Sequence, residues 1–186
     1  MAPIVTVPHP VLRQVAKPVE KIDKKILRII EEMRKALLAA RDPEGVGLAA
    51  PQIGVPLRIF FIRPDLKKEP RLFINPDIIR YSQRTLNPSS KNGIYEGCLS
   101  IPRHFAPIKR SSSVTIKYHV PVMQNGKWLL SKKTAVLSGF SAHIVQHETD
   151  HLNGILFPKR VLEQNRKLYR IDKTENEEEK LVEIEL

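Results

Sequence analysis

Gln146-His147-Glu148-Thr149-Asp150-His151-Leu152-Asn153-Gly154 carries two imidazoles four residues apart. At that spacing both rings stand on one face of a helix and can grip a single divalent ion, while Glu148 sits beside any water the ion holds. The stretch therefore predicts a hydrolytic metal site on a helix that opens at Ser138 and closes at Gly154.

A catalytic site of this type takes three protein ligands and leaves one position for water. One solution is a third His in the pattern H-E-x-x-H-x-x-G-x-x-H. The chain follows that pattern through Gly154 and then has Phe157, whose ring cannot ligate. Glu163 and Glu175 are formally available but lie in no recognisable helical motif. His143 shares the stripe of His147 and His151, yet eight residues at about 1.5 Å rise put it roughly 12 Å from His151, so it reads as a neighbour of the site. The only cysteine, Cys98 in Glu96-Gly97-Cys98-Leu99-Ser100, remains. Thiolate suits zinc or ferrous iron, although a lone Cys taken by itself is more often a small buried hydrophobe.

A third segment, Gly45-Val46-Gly47-Leu48-Ala49-Ala50-Pro51-Gln52, has glycines that let backbone approach a ligand and an amide donor in Gln52. It fails as a phosphate loop because no Lys-Ser or Lys-Thr follows. Together the three segments resemble the peptide deformylase family, whose marks are G-x-G-x-A-A-x-Q, E-G-C-L-S and Q-H-E-x-D-H-L-x-G in that order. All three stand here intact, at Gly45 to Gln52, Glu96 to Ser100 and Gln146 to Gly154. The opening Val7-Pro8-His9-Pro10-Val11-Leu12-Arg13 also looks like the family's N-terminal segment, so the resemblance spans roughly residues 4 to 160.

The resemblance implies removal of the formyl group from the N-terminal formyl-methionine of nascent chains, with release of formate. It implies Cys98, His147 and His151 as metal ligands, and Glu148 as the base that takes a proton from the metal-held water and passes it to the leaving amine. Gln52, through its amide, and Leu99, through its backbone N–H, are the implied donors to the oxygen of the tetrahedral intermediate. Gly45, Gly47 and Gly97 would lie along the substrate, and Val46, Ile94, His143 and Ile144 would line the methionine pocket. Gln146 and Asp150 would orient ligands. His143 departs from the apolar residue more usual at its position, and Arg103 stands where many members have Gly. The ligand set accommodates Fe(II), Zn(II), Ni(II) or Co(II), and the family works natively with Fe(II). Two rival classes are a metallopeptidase of another H-E-x-x-H family and a ribosome- or RNA-associated binding protein.

At 186 residues and 41% hydrophobic content the chain suits one globular domain. It has no run of eighteen apolar residues to span a membrane, and no apolar segment with a small-residue cleavage site near its start. One cysteine forms no internal disulfide, which fits a reducing cytosol; with the resemblance, a cytoplasmic bacterial enzyme is expected, an organellar origin being the alternative. The formal charge of +11 is uneven: residues 174–186 hold six acids and one Lys, a net of −5, which leaves +16 on the rest. Such a basic body can associate weakly with the ribosome, but an ordinary well-solvated basic surface explains the charge better, and no basic stripe interleaved with aromatics argues for sequence-specific nucleic-acid binding.

Periodicity supplies the coarse fold. Asp23 can cap a helix with Ile26, Ile29, Ile30, Met33, Leu37 and Leu38 at helical spacing, ending near Asp42-Pro43. Leu57 to Ile62 and Leu72 to Ile79 read as strands. Val114, Ile116, Tyr118 and Val120 alternate, and Asn125-Gly126 turns that strand into Trp128 to Leu130. A C-terminal helix is expected over about Val161 to Arg170. The fold expected is a single α+β domain, with antiparallel or mixed sheets around a central metal-binding helix, an N-terminal helix and a C-terminal one. Residues 1–170 form the catalytic domain and 171–186 an acidic, mobile tail.

Overall fold

The Asp23 side chain accepts a hydrogen bond from Ile26 N at 2.9 Å and so starts α1, Lys24–Ala39. Its Ile26, Ile29, Met33, Ala36 and Leu37 turn inward, the apolar stripe that helical spacing predicts. The helix ends at Ala39 because Ala40 is already extended, slightly before the expected stop. The structure, a computed structural model, describes residues 2–41, 43–88, 93–173 and 179–185.

The strands are β1 Gly47–Ala49, β2 Ile59–Ile62, β3 Arg71–Tyr81, β4 Glu96–Cys98, β5 Ile101–Ala106, β6 Ser113–Gln124, β7 Lys127–Ser138, β8 Leu168–Lys173 and β9 Glu179–Ile184. Helix α2, Gly139–Leu152, follows β7, and α3, Phe157–Glu163, precedes β8. The strands form two antiparallel sheets, ordered β1-β2-β3-β6-β7 and β4-β5-β8-β9. Asn125 and Gly126, at φ 49° and 73°, make the two-residue turn between β6 and β7. These two strands run much longer than the alternation suggested, pairing from Ser113↔Ser138 to Gln124↔Lys127.

Helix α1 covers one face of the larger sheet, packing Ile29, Met33 and Leu37 with Leu48, Ile59, Phe61 and Ile74. Helix α2 covers the other, where Ala142, Ile144, Val145 and Leu152 meet Phe60, Ile62, Phe73, Val114 and Ile116. A third core joins Cys98, Ile101 and Ala106 of the smaller sheet region to Leu156, Phe157 and Val161 at α3. Helix α2, with its paired histidines, thus lies centrally, as expected. Gly154 closes its end at φ 69°, pressed so tightly on the N-terminal segment that a Cβ there would lie 2.5 Å from Arg13 O.

Two expectations at the C-terminus are corrected. The helix expected over Val161 to Arg170 is the short α3, which ends at Glu163; Asn165 turns to φ 50° and the chain continues as β8. Nor are the described residues of the acidic segment a loose tail: 171–173 finish β8, and Glu179–Ile184 form β9 against it. The physical reason is backbone pairing with β8 from Leu168↔Ile184 to Lys173↔Glu179 and the packing of Ile184 on the third core, with exposed ion pairs of Glu183 to Lys167 at 2.8 Å and Glu179 to Arg103 at 3.4 Å adding little. Residues 174–178 and 186, and with them Glu175, lie outside the described residues.

Candidate metal and catalytic centre

Helix α2 is buried continuously from Ala142 to Leu152, although that stretch includes three histidines, Gln146, Glu148, Thr149 and Asp150. Buried polar groups need partners, and these partners build the site. Gln146 spans to the loop before β6: its Oε1 accepts from Ser111 N at 3.0 Å, and its Nε2 donates to Ser111 O at 2.9 Å. Arg110 donates twice to Glu96, at 2.9 and 2.7 Å, and once to Asp150 at 2.6 Å. Arg160 from α3 closes the chain on Asp150 at 3.0 and 2.5 Å.

Glu96 is the hub of this network. Burial would push its carboxyl up, but Arg110 and His147 outweigh that and hold it well below the usual carboxylate range. Its Oε1 lies 2.7 Å from His147 Nδ1, so Nδ1–H points to the carboxylate and Nε2 is the ring nitrogen turned toward His151. Burial acts against a proton on His147, yet Glu96 and Cys98 more than offset it and raise His147 well above its ordinary value. His151 goes the other way, pushed well below by burial and then by His147. His143 Nε2 approaches Glu96 Oε2 at 3.0 Å, though off the direction a good hydrogen bond requires. This places His143 beside the site, next to the partner of a ligand.

β4 brings Cys98 to the helix. Its Sγ lies 3.2 Å from His151 Nε2, which is itself 3.2 Å from His147 Nε2, and the three candidate ligand atoms all fall within 4.8 Å of one another. Two nitrogens bound tetrahedrally at about 2.1 Å stand about 3.4 Å apart, so the donor set fits a small divalent ion. Among the described residues this is the one Cys/His/carboxylate cluster of that kind. Glu163 is elsewhere, exposed and paired with Arg160 at 2.7 Å.

Around the cluster, Glu148 is buried, its Oε2 has no hydrogen-bond partner among the described residues, and burial pushes its carboxyl up to about 7. Gly47 makes room for it: a Cβ at Gly47 would come within 2.2 Å of Glu148 Oε1 and 2.7 Å of Ile144 Cγ2. Gln52 is aimed by Ala49 N, which donates to its Oε1 at 2.8 Å. Its Nε2 therefore faces Ser100 Oγ at 3.2 Å and Cys98 Sγ at 3.6 Å. The N-terminal segment ties down the turn after β1 and the turn between β4 and β5, with Val5 N donating to Gln52 O and Val7 N to Ser100 O, at 2.8 and 3.0 Å.

A cleft of about 690 Å³, measured to its open mouth, lies over these groups. Val46, Gly47, Ile94, Gly97, Leu99, His143 and Ile144 line it, together with Gln52, Cys98, His147 and Glu148. Gly45 does not line it but packs against α1, where a Cβ would lie 2.3 Å from Leu37 O. Sequence reasoning missed Arg110 and Arg160 altogether, because nothing in their spacing ties them to α2. It also missed Tyr95, Phe105 and Phe140 as cleft walls. Glu96 was in view within E-G-C-L-S, and an acid two residues before the candidate thiol ligand, hence on the same face of a strand, was the available signal.

The sequence profile of the polypeptide deformylase family matches residues 1–167. The chain belongs to this family. It is 40% identical over 159 residues to a peptide deformylase of Rhizobium meliloti, covering 83% of this chain and 82% of that one. The fold is similar to the crystal structure of the Thermotoga maritima peptide deformylase, with a TM-score of 0.69 at 37% identity, covering 86% of this chain and 97% of that one. An Acinetobacter baumannii peptide deformylase, solved with Met-Ala-Ser bound, matches with a TM-score of 0.69 at 29% identity over 86% of this chain and 98% of its own. Membership makes the chain an enzyme of the peptide deformylase class, in a family of metalloenzymes, and the cluster of Cys98, His147 and His151 is its candidate metal site.

Proposed function

We propose that this chain hydrolyses the formyl amide of N-formyl-methionyl peptides, the ends of newly made polypeptides, and releases formate. One observation carries the reading: Glu148, unpartnered and buried, shares an apolar cleft with three converging ligand atoms. Cys98, His147 and His151 would hold the ion, natively Fe(II), with Zn(II), Ni(II) or Co(II) able to substitute. When bound, that ion supplies a Lewis acid for the formyl oxygen and lowers the pKa of water.

The chain's own residues do the rest. β1 and β4 are the edge strands of their two sheets, and both Gly47 and Gly97 border the cleft, so a peptide can lie as an added strand between them. Its first side chain then enters the pocket of Val46, Ile94, His143 and Ile144. Gln52 Nε2 and the backbone N–H of Leu99 are the donors for the oxygen that gains charge at the formyl carbon. Glu148, with its carboxyl near neutrality, takes a proton from the attacking water as the C–O bond forms and delivers it to the amine nitrogen as the C–N bond breaks. Water and formyl amide become formate and a free amine.

This work belongs where chains begin with formyl-methionine, the bacterial cytoplasm or an organelle. The net charge of +11 supports weak, salt-sensitive association with the ribosome there. The test is formate release from formyl-Met-Ala-Ser by the wild type and by Glu148→Ala, with metal content measured on the same preparations. Turnover in the wild type and its loss in a metal-replete variant are expected; a metal-replete wild type that releases no formate would overturn the proposal. Internal fragments from an unblocked protein would favour a peptidase instead.

A further inference from the structure

The rim of the cleft carries aromatic rings for which the hydrolysis has no use. Alternate residues of a strand point to opposite faces. Glu96 and Cys98 are buried toward α2, so Tyr95 and Gly97 face the other way. Gly97 pairs with Phe105, and Phe105 pairs with Tyr169 on β8. The Phe105 ring covers Gly97 so closely that a Cβ there would lie 2.6 Å from Phe105 Cε1. Tyr95, 44% exposed, meets Tyr169 with ring centroids 5.9 Å apart and planes at 54°. Tyr169 lies beyond residues 1–167, the part of the chain that the family profile matches.

We propose that Tyr95, Phe105 and Tyr169 form a second side-chain subsite, which takes an apolar or aromatic side chain at the second residue of the substrate. The inference rests on the deformylase reading above. A peptide lying along the free edge of β4 with its first side chain in the α2-side pocket must turn its second side chain to the opposite face. That face is the one bearing Gly97, and Gly97 offers no side chain of its own to shield the ring beneath it. An aromatic second residue gains ring contacts there, whereas alanine reaches none of them.

The test compares kcat/KM for formate release from formyl-Met-Phe-Ser and formyl-Met-Ala-Ser, in the wild type, Tyr169→Ala and Tyr95→Ser. The wild type is expected to prefer the Phe peptide by about 3- to 10-fold, the size of one good aromatic contact, mainly through KM. Both variants should bring the ratio toward one. Each protein is its own reference, so partial loss of folded material cancels; Tyr95→Ser, at an exposed position, keeps the test open if Tyr169→Ala weakens β8. A wild-type ratio of one, or the same ratio in both variants, overturns the subsite. Formate from neither peptide overturns the reading of the reaction itself.

Discussion

Gly47→Ala isolates the position of Glu148, the proposed general base, from the rest of the site. β1 has ordinary extended backbone, so alanine brings no conformational penalty of its own. The added Cβ, however, would lie 2.2 Å from Glu148 Oε1, 2.9 Å from its Cδ and 2.7 Å from Ile144 Cγ2, well inside the 3.0 Å that real Cβ atoms respect. Relief requires the Glu148 carboxyl to swing away by about 1 Å. A displacement of that size at a reacting group costs roughly 100-fold in rate, or about 2.7 kcal/mol of barrier. The nearest atoms belong to Glu148 and Ile144 and not to the rings of His147 or His151, so bound metal should stay at the wild-type level. The assay is kcat for formate release with bound metal and the melting transition measured on one preparation. A Gly47→Ala enzyme within about threefold of wild type would refute the claim that Glu148 must occupy this position; so would an equal loss of activity that tracks lost metal.

Arg110→Leu leaves Glu96 buried with only imidazole partners, and should lower unfolding stability by about 3–5 kcal/mol in denaturant titration, as breaking a buried ion pair does. Acid stability should report Glu96 directly. Its folded pKa is below the ordinary 4.5, so its contribution is complete above pH 4.5 and is lost as pH falls through the depressed value. Circular dichroism should therefore show the wild type losing stability on acidification below pH 4.5, with a shallower dependence in Glu96→Gln. The Fe(II) enzyme should lose activity on standing in air while Ni(II)- or Co(II)-loaded protein keeps it; equal lifetimes with all three metals would count against native iron.

What the sequence made legible follows from the range of the forces involved. The cap at Asp23, the helical stripe of α1 and the Asn125-Gly126 turn are local, and each stands where residue type placed it. The pairing of Cys98 with His147 and His151 spans about fifty residues, and only the coexistence of three motifs pointed to it. Arg110 and Arg160 had no such help: an arginine reveals its partner only when the fold delivers the carboxylates. The acidic C-terminal segment was misjudged because composition alone gave it nothing to bury. The basic surface beside it supplied partners, and pairing with β8 supplied hydrogen bonds.

The same network explains how a helix so rich in polar residues can occupy the middle of the molecule. From Ala142 to Leu152 every side chain is buried, so each charge on α2 needs an answer from another element. Asp150 is answered by Arg110 and Arg160, His147 by Glu96, and Gln146 by the backbone of Ser111. Glu148 is the acid left open: among the described residues nothing answers its Oε2, as nothing answers the ring Nδ1 of His143 and His151, and burial raises its carboxyl to about 7. A protein that satisfies every other charged group on the helix and leaves this one open holds it in a state that costs stability when ionised. The groups that complete α2 therefore also support its proposed catalytic residue: β4, α3 and the loop at Arg110 stabilise the helix enough to carry one unpaired carboxyl beside three candidate ligand atoms.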